Sequence, residues 1–214
     1  MRLTHFGHSC VLVELNGSTI LFDPGTFSHG FEGITDLDAI MITHQHPDHA
    51  DQSRLPKLVE ANPRAKLYSD PQTADQLGGS WTPVRPGQQF HVGDVQVTGT
   101  GGMHAVIHPD IPLIDNTAYL LGDADNPAQL MHPGDSLFVP EEKVDVLALP
   151  AAAPWLKISE AIDFLRAVAP RVAVPIHQGI IADEATGIFY GRYSEMASEG
   201  TEFRVLPAES SVDV

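Results

Sequence analysis

The sequence predicts an α/β protein built as a four-layer αββα sandwich, in which two packed mixed β-sheets are flanked by helices. Its strand-like segments come in two batches, each followed by helix-like segments. This is the order expected for two sheets that are covered by helices on their outer faces. A length of 214 residues with 43% apolar residues suffices for one sizeable core. We therefore expect a single domain over residues 1–214.

The first batch of strands is short and rich in β-branched and aromatic residues. Asn16-Gly17 is a strong turn signal, so the segments on either side of it are predicted to form an antiparallel hairpin. The run from Ala39 to Ile42 is apolar on both faces, which is typical of a strand buried between layers. Ser53 is a candidate N-cap for a helix that Pro63 ends. The predicted strands cover residues 3–6, 9–15, 18–22, 39–42 and 65–68, and the predicted helices cover residues 53–61 and 72–77.

The second batch repeats this pattern. Gly93-Asp94 joins two segments in another predicted hairpin. A helix over residues 159–168 places four apolar side chains on one stripe, with Ser159 as its N-cap. The predicted strands cover residues 89–92, 95–98, 116–121, 129–132, 144–149 and 172–176.

Composition and charge restrict the classes of partner. The chain carries 12 Lys+Arg against 28 Asp+Glu, which gives a formal net charge of −16. A surface this acidic repels phosphate backbones and anionic lipids, so we expect a small-molecule substrate and neither nucleic acid nor a membrane as partner. The single cysteine, Cys10, cannot form an internal disulfide, and its apolar neighbours predict a buried core residue. Without a recognisable secretion signal we expect a cytoplasmic location, and a homo-oligomer remains open.

A metal-binding pattern follows the predicted buried strand. The heptapeptide Thr43-His44-Gln45-His46-Pro47-Asp48-His49 contains three imidazoles and one carboxylate. Imidazole nitrogens with one oxygen ligand suit zinc, iron or manganese, and ligands on one loop need little ordering to assemble. The alternative is a solvated polar loop in a chain with 11 histidines.

Three further candidate ligands stand just past other predicted strands. His104 follows the glycine-rich stretch Gly99-Thr100-Gly101-Gly102, where missing side chains let the backbone approach a site closely. Asp135 follows His132-Pro133-Gly134, and His177 ends an apolar run. A lone histidine at a strand end is usually a hydrogen-bonded surface residue. Their shared position at the carboxyl ends of strands favours a common site.

With these residues in this order, and with His5-Phe6-Gly7-His8-Ser9 and Asp23-Pro24-Gly25 before them, the sequence resembles the metallo-β-lactamase fold superfamily. Within it the chain is most similar to small bacterial metal-dependent hydrolases related to UlaG-type lactonases. The resemblance implies a metallo-β-lactamase-like fold with two divalent metal ions, Zn²⁺ first and Mn²⁺ or Fe as alternatives. It implies that the first metal is held by His44, His46 and His104, the second by Asp48, His49 and His177, and that Asp135 bridges them.

The resulting hypothesis is a dinuclear metal-dependent hydrolase that uses a metal-bound hydroxide on a small ester, lactone or phosphodiester. Asp48 would ligate a metal and orient the hydroxide. His108 would either stabilise developing charge at the substrate entrance or be an ordinary surface histidine. Two alternatives stay open: a mononuclear iron dioxygenase of sulfur compounds, and a metal-binding sensor module without turnover.

Several residues are expected around this centre. The resemblance implies that Asp23 accepts a hydrogen bond from a ligand imidazole or from the loop backbone. His8 resembles a position near the site or packs locally, and Trp155 is either a wall of the substrate pocket or part of the packing of the following helix. The loop that follows Asp23 is interpreted as a mobile flap, which carries Phe27, His29 and Phe31.

Overall fold

The computed structural model describes all 214 residues and has two seven-stranded mixed sheets. The first sheet has the order β14-β1-β2-β3-β4-β5-β6, in which β1 to β3 are antiparallel neighbours and β3 to β6 run parallel. Its strands are β1 (Arg2–His5), β2 (Val11–Leu15), β3 (Ser18–Phe22), β4 (Ala39–Ile42), β5 (Lys66–Ser69), β6 (Thr82–Pro83) and β14 (Ser211–Asp213).

The second sheet has the order β13-β12-β11-β10-β9-β8-β7. Its strands β7 to β10 are antiparallel neighbours and β10 to β13 run parallel. The strands are β7 (Gln89–Val92), β8 (Val95–Met103), β9 (Asp115–Gly122), β10 (Leu130–His132), β11 (Val146–Pro150), β12 (Val172–Ile176) and β13 (Glu202–Phe203).

The helices form the outer layers. A first pair is α1 (Leu55–Ala61) and α2 (Pro71–Leu77), and a second is α3 (Ile158–Val168) and α4 (Asp183–Met196); a 3₁₀ turn spans Gln178–Ile180. The largest apolar cluster, 21 buried residues, draws on strands of both sheets and therefore lies between them. A second cluster joins the second sheet to α3 and α4, and a third joins the first sheet to α1. The predicted αββα sandwich is thus confirmed, and each helix falls short of the length and apolar content that a membrane span requires.

Several element predictions need correction. Ser53 does not cap α1, because Asp51 accepts hydrogen bonds from the Ser53 amide and hydroxyl and from the Arg54 amide, and the helix begins at Leu55. Ser159 is not the N-cap of α3 either, since that helix begins one residue earlier, after Lys157.

The loop after Asp23 also differs from its prediction. Phe31 is fully buried in the apolar cluster beside α1, with the Arg54 guanidinium 4.6 Å from its ring centre. It therefore belongs to the core and not to a flap, whereas Phe27 and His29 are exposed.

The carboxyl ends of β4, β8, β10 and β12 meet at one edge of the sandwich. The strand β8 is longer than predicted and continues through the glycines to Met103, because β9 pairs with it along its length. The amide of Thr117 on β9 donates to the carbonyl of Thr43, which joins the two sheets there. The predicted ligands that follow these strands therefore converge.

Candidate metal centre

The loop at residues 43–49 starts directly after β4 and is held from beneath by Asp23. The Asp23 carboxylate accepts hydrogen bonds from the amide and the hydroxyl of Thr43, both at 2.8 Å. His49 Nδ1 donates to the same carboxylate at 2.7 Å. These contacts confirm that Asp23 supports both the loop backbone and a candidate ligand imidazole.

Two glycines let neighbouring loops pack against this one. A Cβ atom on Gly25 would lie 1.7 Å from the carbonyl oxygen of Asp48, and one on Gly134 would lie 2.6 Å from Cβ of Thr43. Any larger residue at either position would force the backbone away from the site. The compact arrangement of the loops therefore depends on glycine at both places.

Two groups of side chains at this edge have the spacing needed to hold a metal ion. The first group consists of His44, His46, His104 and Asp135, and the second of His8, Asp48, His49 and His177. Within each group the nearest ligand atoms all lie within 4.8 Å of one another. All seven residues of the predicted ligand set fall in these groups, together with one additional histidine.

Asp135 faces both groups. Its Oδ1 lies 3.1 Å from His49 Nε2 and 3.2 Å from His177 Nε2, on the side of the second group. Its Oδ2 lies 3.4 Å from His104 Nε2 in the first group, and the Trp155 indole donates to the same oxygen at 2.8 Å. One oxygen towards each group is the arrangement that a bridging carboxylate requires.

The histidines are oriented with one nitrogen turned inward. The Nδ1 atom of His104 donates to the carbonyl of Ala105 at 2.5 Å, and that of His177 donates to the carbonyl of Ala152 at 2.6 Å. With His49 Nδ1 on Asp23, all three imidazoles turn Nε2 towards Asp135. All three Nε2 atoms and Asp135 Oδ1 are buried without a hydrogen-bond partner. Buried polar atoms are rarely left unpaired, so this donor set fits a site for cations.

His8, which sequence reasoning did not include among the ligands, is part of the second group. Its Nδ1 accepts the amide N–H of Gly179 at 3.2 Å, so Nε2 carries the proton and donates to Asp48 Oδ2 at 3.0 Å. The His8 ring lies 3.9 Å from the ring centre of His177. Burial lowers the pKa of His8 to about 4, which keeps the ring neutral near pH 7.

The charges of the two groups differ. Burial lowers the pKa of His44 well below its usual value, and burial also lowers the pKa of His46. Burial acts in the same direction on His49, but the carboxylates of Asp135 and Asp23 outweigh it and raise its pKa well above the usual value. Burial would raise the pKa of Asp48, yet the hydrogen bond from His8 and the neighbouring imidazoles lower it to about 2.

The backbone is strained at three points of the site. Asp23, His8 and His177 have φ angles of 44°, 47° and 61°, in the left-handed region that residues other than glycine seldom adopt. Such strain persists only where surrounding contacts fix it, and it is concentrated at functional sites. Here the amide of His177 donates to the carbonyl of His8, which joins two of the strained residues.

Other residues singled out in the sequence lie around the centre or away from it. Trp155 faces the centre, since its indole bonds Asp135 and its ring lies edge-on to His104. His132 is buried, stacks on Phe22 and contacts the Ser9 carbonyl, outside both groups. His108 is exposed in the loop after His104 and belongs to neither group, so its catalytic role stays a prediction.

Sequence comparison identifies relatives of this chain. A family model described as the β-lactamase superfamily domain matches residues 2–177. The protein Rv0786c of Mycobacterium tuberculosis is 64% identical over 212 residues, which are 99% of either chain. A UPF0173 metal-dependent hydrolase of Geobacillus sp. strain WCH70 is 30% identical over 202 residues, which cover 83% of this chain and 85% of the relative.

Structural comparison agrees with the sequence. The solved structure of Igni18, a metallo hydrolase from the archaeon Ignicoccus hospitalis, matches with a TM-score of 0.72 and 24% identity. The match covers 99% of this chain and 97% of that one. At this level of identity the likeness shows a common fold.

Proposed function

The chain belongs to the β-lactamase superfamily and is a metal-dependent hydrolase, and we propose that it works with two divalent metal ions. The observation that supports this most directly is the set of inward-facing Nε2 atoms and the Asp135 oxygen, all buried without a partner. The first metal would be held by His44, His46 and His104, the second by Asp48, His49 and His177, and Asp135 would join them. Bound there, two divalent ions supply an activated water at neutral pH and a Lewis acid for the substrate oxygen.

The chain's own residues position this chemistry. Asp48 is only partly buried, and His8 fixes the direction of its carboxylate from one side. We propose that Asp48 ligates the second metal and orients the attacking hydroxide. The Trp155 indole fixes Asp135, and buried residues beneath the loop exclude water from its inner side.

We propose Zn²⁺ as the metal, with Mn²⁺ and iron as the alternatives. Imidazole and carboxylate donors suit all three metals. The one cysteine, Cys10, lies in the apolar core beside α1, so no thiolate ligand is present at the centre to favour a softer metal. The proposal takes residues 1–214 as one domain, because the cluster between the sheets contains residues from Leu3 to Leu206. The cytoplasmic location and the relation to UlaG-type lactonases stay predictions.

Metal analysis combined with a substrate panel tests the proposal. The protein is stripped of metal, reloaded with Zn²⁺, Mn²⁺ or Fe²⁺, and assayed on chromogenic esters, lactones and phosphodiesters. We expect two metals per chain and metal-dependent hydrolysis. His104→Ala and His177→Ala should each retain about one metal and lose turnover, because each removes one ligand from a different group.

The same measurements separate the alternatives. If either variant keeps full turnover after metal-free preparation, the assignment of the centre is wrong. Oxygen consumption with a thiol substrate by the iron-loaded protein would favour a sulfur dioxygenase. Two tightly held metals without turnover on any substrate would favour a sensor module.

A further inference from the structure

Exposed apolar side chains are concentrated around the metal centre. Of the ten large apolar side chains that are exposed, eight lie in segments that carry or adjoin a candidate ligand, and only Ile188 and Val205 lie elsewhere. Scattered exposed apolar residues are ordinary, but a group of them at one place marks a binding surface. We define the apolar rim as six of these side chains: Phe27, Val106, Ile111, Leu113, Phe138 and Ile180.

Contacts place the rim next to the ligands. The Phe27 ring lies edge-on to His8, with 5.2 Å between ring centres, and the Cβ position of Gly179 is 3.3 Å from Phe27 Cβ. Ile180 follows three residues after His177. Phe138 follows three residues after Asp135 and packs its Cβ 3.5 Å from the Cβ position of Gly101 on β8. Both sides of the centre are therefore bordered by apolar groups.

The remaining rim residues stand on one loop, residues 105–113, whose ends are fixed at the centre. The amide of His104 donates to the carbonyl of Ile114 at 3.0 Å, and the amide of Ala105 donates to the carbonyl of Asp135 at 2.8 Å. Val106, Ile111 and Leu113 line an open cavity of about 480 Å³ on this loop, together with two prolines, His108 and Asp110. The loop thus presents three apolar side chains and is fixed at the metal centre by both of its ends.

Cationic side chains are scarce around the centre. The segments 24–34, 103–114, 133–140, 151–157 and 177–182 contain one lysine or arginine between them, Lys157. Its side chain is 80% exposed and its Nζ lies 3.5 Å from Glu160. Many sites that bind phosphoryl or carboxylate groups add arginine or lysine to the metals. A net charge of −16 also disfavours the approach of an anion.

We propose that the substrate is an uncharged ester, thioester or lactone whose acyl part is an aliphatic or aromatic group lying against the apolar rim. This rests on the proposed hydrolase function and selects among its substrate classes, disfavouring phosphodiesters and anionic esters. Water is added across the acyl bond: the acyl carbon gains the water oxygen, the bond to the leaving oxygen or sulfur breaks, and that atom takes one proton. The new acid releases the other proton.

A chain-length series of 4-nitrophenyl esters tests the proposal with the Zn²⁺-loaded protein. The series comprises acetate, butyrate and hexanoate, together with the glutarate monoester as an anionic analogue and bis(4-nitrophenyl) phosphate. We expect kcat/KM to rise about threefold to fourfold per methylene, the gain that burying a methylene gives. The kcat/KM of the hexanoate should exceed that of both anionic substrates by at least about tenfold, since no lysine or arginine beside the metals pairs with their negative charge.

Rim variants provide the matched comparison. Ile111→Ser combined with Leu113→Ser should flatten the dependence of kcat/KM on chain length. Leu113→Lys should raise kcat/KM for the glutarate monoester relative to that for the hexanoate. Ile188→Ser is the control, because this side chain is 66% exposed on α4 and outside the rim. It should keep the wild-type slope.

Binding without turnover keeps the two proposals separable. Alkyl hydroxamates chelate metals, so calorimetry with acetohydroxamate and hexanohydroxamate measures what the rim contributes to binding affinity even if no ester is hydrolysed. Stronger binding of the longer compound, lost in the double serine variant, supports the rim. Equal binding of the two compounds, or a preference for anionic substrates with hydrolysis intact, overturns the proposed role of the rim. Either result leaves the proposed hydrolase function intact. A wild-type dimer in sedimentation that dissociates in the double variant would assign the rim to a second copy of the chain and also overturn it.

Discussion

The two halves of the metal centre are held in different ways. In the first group the imidazoles are oriented by neutral partners: His44 Nδ1 contacts the Thr43 hydroxyl at 3.1 Å, and His104 bonds a backbone carbonyl. In the second group a buried carboxylate, Asp23, holds His49, and a buried imidazole, His8, holds Asp48. The second group therefore depends more on buried polar side chains behind it.

Position along the chain explains this difference. In the first group, His44 and His46 are two residues apart at the end of β4, so the strand itself sets much of their geometry. Asp48 lies one turn further into the loop and is in contact with His8, 40 residues away. Residues near a strand end need less support than residues in a loop, because the sheet fixes their backbone. We therefore expect substitutions of the residues behind the ligands to weaken metal binding more in the second group than in the first.

The largest effect is expected from Asp135→Ala, which removes the one carboxylate that faces both groups. Without it the two sites lose a common ligand and the like charges of two cations face each other uncompensated. We expect both metals to bind weakly and turnover to fall by about 10³-fold or more, as the loss of several kcal/mol implies. Elemental analysis and kcat/KM measure this.

Asp75→Ala, on the exposed side of α2, is the control for this variant and should retain two metals. If Asp135→Ala also retained two metals at wild-type affinity, the two groups would be independent sites and Asp135 would not join them.

A smaller and one-sided effect is expected from Asp23→Asn. The amide still accepts the bond from Thr43 but no longer offers His49 a negative charge. Partners behind a ligand typically contribute 10-fold to 100-fold in metal affinity, so the second group should weaken by about that factor while the first stays unchanged. Titration against a chromophoric chelator resolves the two binding steps.

Asp70→Asn is the matched control, because Asp70 is also a fully buried aspartate but caps α2. Equal weakening of both binding steps by Asp23→Asn would show that Asp23 acts on the whole loop and not through His49.

The sequence sufficed to find most of this centre because its information is local. Four candidate ligands stand within seven residues, and the other three each stand just past a predicted strand. The strands Ala39–Ile42 and Val172–Ile176 were predicted with their observed bounds, since an apolar run between turn signals defines both ends.

Non-local features escaped prediction. Ser53 does not cap α1 because its amide and hydroxyl both donate to the Asp51 carboxylate, and no side chain caps the helix. The helix α4 lacks a pronounced apolar stripe, and only Tyr193 on it is fully buried. Phe31 occupies the core because α1 packs beside it, which a loop sequence does not reveal. The contact between His8 and Asp48 depends on strand β1 lying beside β2 and on a strained turn between them.

The smallest effect, and the one that tests the missed residue, is expected from His8. His8→Ala removes the donor to Asp48 and should weaken the second metal about tenfold, with the first unaffected, as expected for a contact behind a ligand. His8→Gln retains an N–H group near the position of Nε2 and should restore most of the affinity if His8 positions Asp48. If His8 instead ligates the metal, glutamine and alanine should be equally defective. Two-step metal titration of both variants, with exposed His91→Gln as control, decides between a positioning residue and a ligand.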